Sequence, residues 1–198
     1  MSVDSEVKQL VFNTSTAFLI HRILWKLNKV MILAIDPSFT GTGLALASDD
    51  GSILKTAKLS VKGACYSSIT DNHNACEEII DGIKDFIKDV PDVEVICEYP
   101  AFATRSGAYL AVLNGALSSR LKRFRNVKSI TWVPPTACNS FTKNKLNSKS
   151  FLVEWCKREG LISKRTSHDE CTAIIFVRLL LAIRTSKYKN SFFVWTRS

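Results

Sequence analysis

Residues 30–43 read VMILAIDPSFTGTG, and this stretch decides the fold. Val30–Asp36 is an apolar run that ends in an acid, which is typical of a strand buried on both faces of a sheet. Pro37 and closely spaced serine, threonine and glycine residues then form a turn, and Leu44–Ser48 returns as a second strand. The stretch therefore predicts two strands joined by a short turn, with an aspartate where the first strand ends.

The remaining sequence predicts one more hairpin strand and then alternating helices and strands. The turn at 49–52 (DDGS) leads into a third strand at Ile53–Val61. The later predicted elements are helices at about 70–89, 106–124, 149–159 and 168–186, and strands at Val93–Cys97 and Ser129–Val133. The order β-β-β-α-β-α-β-α-α predicts an α/β fold with a five-stranded mixed sheet and helices on both faces. The segment TACNSFTKNKLNSKS is predicted to be a polar loop.

The chain has 198 residues, which fits one domain. We expect the folded domain to span residues 31–187, between an N-terminal extension at 1–30 and a C-terminal tail at 188–198. The extension has a helical pattern near residues 15–28. A protein that starts at Met31 is an open alternative.

Targeting and cysteine patterns indicate a cytoplasmic protein without a membrane partner. The longest apolar run, CTAIIFVRLLLAI, is interrupted by Arg178 and is too short to span a bilayer. The first thirty residues lack the order of a secretory signal, because acids come first and polar residues interrupt the apolar stretch. The six cysteines form no C-x-x-C pair, which favours buried free thiols in a reducing compartment.

The net charge of +9 is distributed unevenly along the chain. Residues 31–119 carry six basic and twelve acidic groups, whereas residues 120–198 carry seventeen basic and four acidic groups. A strongly basic half joined to an acidic half is expected in a protein that binds a polyanion such as a nucleic acid.

Three acidic positions are candidates for a shared site. Asp36 and Glu98 each end an apolar strand, and the pair Asp169-Glu170 opens the last helix. Catalytic groups gather at the carboxyl ends of strands in open α/β sheets, so these acids can converge there. Converging carboxylates favour Mg²⁺ or Mn²⁺, and two such ions are suited to phosphodiester hydrolysis. Taken singly, each acid has an ordinary structural interpretation as a turn residue, a surface acid or a helix N-cap.

Three motifs resemble those of the RuvC-type Holliday junction resolvases, which have an RNase H-like fold. ILAIDPSFTGTGLAL resembles the first motif, VICEYPAF the second and SHDECTAIIFVRLL the C-terminal one. The resemblance covers most of residues 31–185. It implies a homodimer that cuts branched DNA symmetrically at four-way junctions, with two Mg²⁺ ions held by four acids and Mn²⁺ as a substitute.

The resemblance assigns Asp36, Glu98 and Asp169 as catalytic metal ligands. Its fourth acid falls at Thr172, a neutral and weak ligand. Glu170 is a possible additional ligand, although it points about 100° away from Asp169 around the helix.

Basic residues in the second half of the chain are candidates for DNA binding. The resemblance places basic residues after the fifth strand, and an aromatic residue there can stack on an opened base. The predicted DNA-binding residues are Phe141, Lys143, Lys145, Lys149, Arg123 and Arg125.

The sequence therefore predicts a metal-dependent endonuclease that resolves four-way DNA junctions. One alternative is a junction-binding protein in which Thr172 has weakened or abolished cleavage. Another is an RNase H-like nuclease that acts on structured RNA or RNA–DNA hybrids.

Overall fold

The structure is a computed structural model, and it describes residues 30–61, 69–99, 105–145, 148–162, 166–185 and 193–196. Within these residues the chain forms six strands and five helices. The strands are β1 Met31–Asp36, β2 Thr42–Ala47, β3 Ile53–Leu59, β4 Val93–Glu98, β5 Val127–Val133 and β6 Phe193–Thr196. The helices are α1 Ile69–Phe86, α2 Arg105–Leu121, α3 Ala137–Thr142, α4 Lys149–Arg158 and α5 His168–Thr185.

The strands form one mixed sheet in the order β3-β2-β1-β4-β5-β6. The first three strands are an antiparallel meander, as predicted, while β1, β4 and β5 run parallel to one another. Parallel neighbours need a crossover connection, and α1 and α2 provide the two crossovers. The carboxyl ends of β1 and β4 consequently meet at the same edge of the sheet.

Helices cover both faces of the sheet and bury two apolar cores, which confirms the predicted architecture. Every residue of Met31–Ile35 is buried, because alternate side chains of β1 enter opposite cores. Leu33 and Ile35 pack against α1 and α2 on one face. Ile32 and Ala34 pack against α3, α4 and α5 on the other.

Helix α5 is largely enclosed by the rest of the protein. Eleven of its eighteen residues are buried, and it contacts β1, β2 and α4. At Gly43 the helix comes so close to the sheet that an added Cβ atom would lie 2.0 Å from the backbone oxygen of Asp169. Glycine at this position therefore allows the first turn of α5 to rest directly on β2.

The structure differs from the sequence-based prediction in two places. The sheet has a sixth strand, because β6 comes from the predicted tail and pairs antiparallel with β5 along its outer edge. The predicted polar loop contains the short helix α3, in which Ala137, Cys138 and Thr142 are buried. The helix expected near residues 15–28 lies outside the described residues.

Two further predictions concern the state of the cysteines and the presence of membrane-spanning helices. The cysteines at 76, 97, 138, 156 and 171 are free and buried. No helix in the described part of the chain is long and apolar enough to cross a membrane.

Candidate active site

Asp36 and Glu98 lie side by side at the carboxyl ends of two neighbouring parallel strands. Ile35 pairs with Cys97, so the next residue of each strand, Asp36 or Glu98, falls at the same edge. Side chains alternate along a strand, and residues two positions earlier face α5, so both carboxylates point toward that helix. The prediction that strand ends would bring these acids together agrees with this geometry.

The first turn of α5 brings the third acid to the same place. Gly43 pairs with Asp36 across the β1–β2 hairpin, and the backbone oxygen of Asp169 lies directly over Gly43. The charges of both Glu98 and Asp169 act on the Asp36 carboxyl. The three predicted carboxylates therefore form one electrostatically connected group.

Burial makes Asp36 and Glu98 costly to ionise, and repulsion by neighbouring carboxylates adds to the cost at Asp36. Burial is the main reason why the pKa of Asp36 is raised well above its ordinary value, and the charges of Glu98 and Asp169 raise it further. The nearby charge of Lys149 acts in the opposite direction. Burial also raises the pKa of Glu98 from 4.5 to about 7. A cation at this edge would remove the cost of ionising both acids.

The turn after Asp36 is fixed by side-chain hydrogen bonds. The Thr42 hydroxyl donates to the Ser38 backbone oxygen at 2.7 Å and accepts from the Ser38 N–H at 3.1 Å. This double contact holds the DPSFTGT turn, so the position of Asp36 does not depend on a flexible loop.

Thr172 lies next to Asp36, where the resemblance places a fourth acid. Its hydroxyl is within hydrogen-bonding reach of the Asp36 carboxyl, an interaction that lowers the pKa of Asp36. The same hydroxyl donates to the His168 backbone oxygen at 3.0 Å, one turn earlier in α5. Thr172 is buried and contributes a polar but uncharged group to the site.

Asp169 already has two basic partners, and one of them was missed from the sequence. Its Oδ2 atom lies 2.7 Å from Nζ of Lys58, and its Oδ1 atom lies 2.7 Å from Nε2 of His168. Lys58 lies on β3, opposite Gly43. The register shifts by one residue between Leu46 and Ala47, so counting residues from the hairpin turn would have placed Ala57 opposite Gly43 and would not have found Lys58.

Glu170 is held away from the other carboxylates by the start of α5. Its carboxylate accepts hydrogen bonds from the Ser167 N–H and hydroxyl, while the Ser167 hydroxyl accepts from the Glu170 N–H. This reciprocal pattern is a capping box. Thr56 on β3 donates to the other carboxylate oxygen at 2.7 Å. Burial raises the pKa of Glu170, but these hydrogen bonds and the charge of Lys58 lower it more, so its pKa falls below the ordinary value.

The loop after β5 brings one predicted DNA-binding residue to the carboxylates and exposes two others. Lys149 begins α4, whose N-cap Ser148 accepts a hydrogen bond from the Phe151 N–H, and its charge reaches Asp36. Lys143 and Lys145 are exposed on either side of Asn144.

Asn144 gives this loop a defined shape. Its side chain is buried and donates to the Asn139 side-chain oxygen at 2.9 Å and to the Ser148 backbone oxygen at 3.0 Å. The two flanking lysines also line a groove of about 600 Å³ with Ser150 and Phe151.

The structure does not bring the other predicted DNA-binding residues to this edge. Arg123 and Arg125 follow α2 just before β5 begins, at the opposite end of parallel strands that are about 20 Å long. Phe141 is half-buried and packs edge-on against Trp155, with ring centroids 6.0 Å apart. Phe141 therefore packs against the apolar core, close in sequence to the loop that carries Lys143 and Lys145.

The three carboxylates have the donor chemistry of a divalent-cation site. No three Asp, Glu, His or Cys side chains in the described part of the chain are already grouped closely enough to hold a metal ion. The chemistry of the donors nevertheless fits a hard cation, because Asp36 and Glu98 are two oxygen donors that burial and repulsion disfavour as bare anions. Asp36, Glu98 and Asp169 are therefore the residues that would hold it.

Comparisons with solved structures support the same fold. A structure of T. thermophilus RuvC in complex with a Holliday junction substrate is similar with a TM-score of 0.56 and 15% sequence identity, covering 79% of this chain and 96% of that one. A Thermus thermophilus RuvC structure is similar with a TM-score of 0.51 and 13% identity, covering 78% and 96%. No family model and no curated protein sequence matches the chain. The chain thus has a RuvC-like, RNase H-like fold.

Proposed function

We propose that the protein is a metal-dependent endonuclease that cuts branched DNA at four-way junctions. The observation that supports this most strongly is the convergence of Asp36, Glu98 and Asp169 at one edge of a RuvC-like fold. The bound cation, Mg²⁺ or Mn²⁺ in its place, would lower the pKa of a water molecule and stabilise the leaving oxygen. A junction is the favoured substrate because the similar RuvC structure was solved with one.

The basic loop after β5 would bring the DNA backbone to the carboxylates. Three carboxylates repel phosphates, so cationic side chains must offset that repulsion. Lys149 begins α4 and its charge acts on Asp36, so it would hold the phosphate next to the site. Lys143 and Lys145 would contact phosphates further along the strand. A homodimer would present two such sites to the two opposite strands of a junction.

Cleavage of a labelled mobile four-way junction by the purified protein tests this proposal. With Mg²⁺ we expect paired nicks at symmetric positions, which Asp36→Asn abolishes. Asp81→Asn is a matched control, because Asp81 is an exposed acid on α1. The proposal fails if no nicks appear, or if the wild type and Asp36→Asn cut alike. Flap, duplex and RNA–DNA hybrid substrates at equal salt would identify a nuclease with a different preference.

A junction-binding protein with weakened cleavage is the second candidate. It is favoured by Thr172, which places a neutral group where a fourth acid would stand. This candidate predicts tight, salt-sensitive junction binding without nicks, and a gain of cutting in Thr172→Asp.

A further inference from the structure

We infer that the ammonium group of Lys58 takes the place of a second divalent cation, so that the site binds one metal ion instead of two. The inference rests on the proposed function, since it concerns the same carboxylates. It assigns a role to a residue on β3 that neither the motifs nor the comparisons identify.

Lys58 is built into the site by the register of three neighbouring strands. Asp36 pairs with Gly43, and Gly43 pairs with Lys58, so the three residues form one row across β1, β2 and β3. Directly paired residues point to the same face of a sheet. Lys58 therefore faces α5 together with Asp36, and Gly43 between them has no side chain to separate the two.

Two glycines leave the space in which the Lys58–Asp169 pair lies. A Cβ atom on Gly41 would lie 2.4 Å from Cε of Lys58 and 2.8 Å from Oδ2 of Asp169. A Cβ atom on Gly43 would collide with the Asp169 backbone. The pair consequently lies between β2 and α5, where the Asp169 side chain is 11% exposed and the Lys58 side chain remains 37% exposed. Its Nζ–Oδ2 distance of 2.7 Å is that of a charge-assisted hydrogen bond.

The charges of the site match one divalent cation. Asp36, Glu98 and Asp169 contribute three negative charges when ionised, and Lys58 offsets one of them. Thr172 adds no charge, and Glu170 is engaged in the capping box and by Thr56. Among the carboxylates and the lysine in direct contact with one of them, the remaining charge of −2 balances a single Mg²⁺ or Mn²⁺. The charge of Lys149, which acts on Asp36 from beyond ion-pair distance, reduces the room for a second ion further. Four ionised acids would balance two divalent ions. The neutral Thr172 and the positive Lys58 both make the site less negative, and both therefore favour one ion over two.

The number of bound ions tests the inference on the purified full-length protein. Mn²⁺ is titrated while free Mn²⁺ is followed by electron paramagnetic resonance. We expect one ion per chain in the wild type, and loss of that ion in Asp36→Asn. Lys58→Met should bind a second ion and hold the first about tenfold more tightly, because one positive charge near the cation is gone. Lys58→Arg keeps the charge and should retain one ion.

Lys55→Met is the matched control for the lysine. Lys55 lies on the same strand but contacts the ring and backbone of Phe86 on α1, so its loss should leave the metal titration unchanged. Circular dichroism confirms that each variant is folded. The number of Mn²⁺ ions bound per wild-type chain can be measured without any variant.

The outcomes separate this inference from the proposed function. Two Asp36-dependent ions in the wild type would overturn the role of Lys58 and leave the metal-dependent nuclease standing. Unchanged stoichiometry and affinity in a folded Lys58→Met would also overturn it. Absence of any Asp36-dependent Mn²⁺ binding would overturn both.

Discussion

Removing the charge of Glu98 should stabilise the metal-free protein above neutral pH. Burial raises the pKa of this carboxyl to about 7 in the folded protein, against 4.5 when it is exposed. Below the exposed value Glu98 is protonated in both the folded and the unfolded chain and costs nothing. Between pH 4.5 and about pH 7 the unfolded chain is ionised at this position while the folded chain keeps the proton, so the free energy of unfolding falls over this range and stays low at higher pH. The neutral amide of Glu98→Gln avoids that cost.

The size of the effect follows from the pKa difference. A shift from 4.5 to about 7 corresponds to about 3 kcal/mol, since one pKa unit is worth about 1.4 kcal/mol. Glu98 is partly exposed, and solvent screening reduces the expected gain to about 1–2 kcal/mol. For a domain of this size each kcal/mol raises the melting temperature by about 2–4 °C.

Denaturant unfolding of wild type and Glu98→Gln, with a chelator present, measures the gain. The difference should be full at about pH 8 and should vanish at about pH 4, where the wild-type carboxyl is protonated. Adding Mg²⁺ should stabilise the wild type more than the variant, because the cation binds the ionised carboxylate. Glu78→Gln, an exposed acid on α1, should change nothing at either pH. A variant as stable as, or less stable than, the wild type at about pH 8 would refute the reasoning.

Three more variants, one of them a double substitution, test separate parts of the site. Gly43→Ala should destabilise the fold by about 1–3 kcal/mol or more and abolish cleavage, because the added Cβ atom would collide with the Asp169 backbone. Thermal unfolding measures the first effect and the junction assay the second. A stable and active variant would contradict the close packing of α5 on β2. Thr172→Asp adds a fourth acid beside Asp36, so it should destabilise the metal-free protein and bind its single Mn²⁺ ion more tightly, while Lys58 still takes the place of a second ion. An unchanged Mn²⁺ affinity would count against this geometry. Lys143→Ala combined with Lys145→Ala should weaken junction binding and lower the number of counterions released on binding by about two. The affinity for Mn²⁺ should not change. If the salt dependence of junction binding stays the same, these lysines do not contact phosphates.

The sheet and two of the site acids could be predicted because their signals are local. Asp36 and Glu98 end strongly apolar runs, and the alternation of strands and helices places both at one edge. Asp169 was a candidate because it opens a helix with Glu170, but the resemblance was needed to choose between the two, since nothing local indicates that the start of α5 lies over Gly43. The strand β6 was missed because an edge strand of four residues leaves almost no periodic pattern.

The predicted basic residues lie at two ends of the sheet, which the charge of a whole segment could not indicate. Arg123 and Lys149 both belong to the basic half of the chain. However, α2 returns to the start of the parallel strands, whereas α4 begins near their carboxyl ends. The polarity of the β–α–β units determines which end of the sheet each residue reaches. Lys58 was missed for the opposite reason, since it lies in the acidic half and reaches the site through strand register.

Because α5 is enclosed by the rest of the protein, the candidate site forms only at a late stage of folding. Asp169 and Thr172 belong to a helix that also fills one of the two apolar cores, so the site cannot assemble before that core has formed. A chain emerging from the ribosome, or one that has lost its core packing, therefore has the carboxylates but not their arrangement. Under the proposed function, such a chain would be unable to cut nucleic acid indiscriminately, and nuclease activity would disappear in the same cooperative transition as the fold.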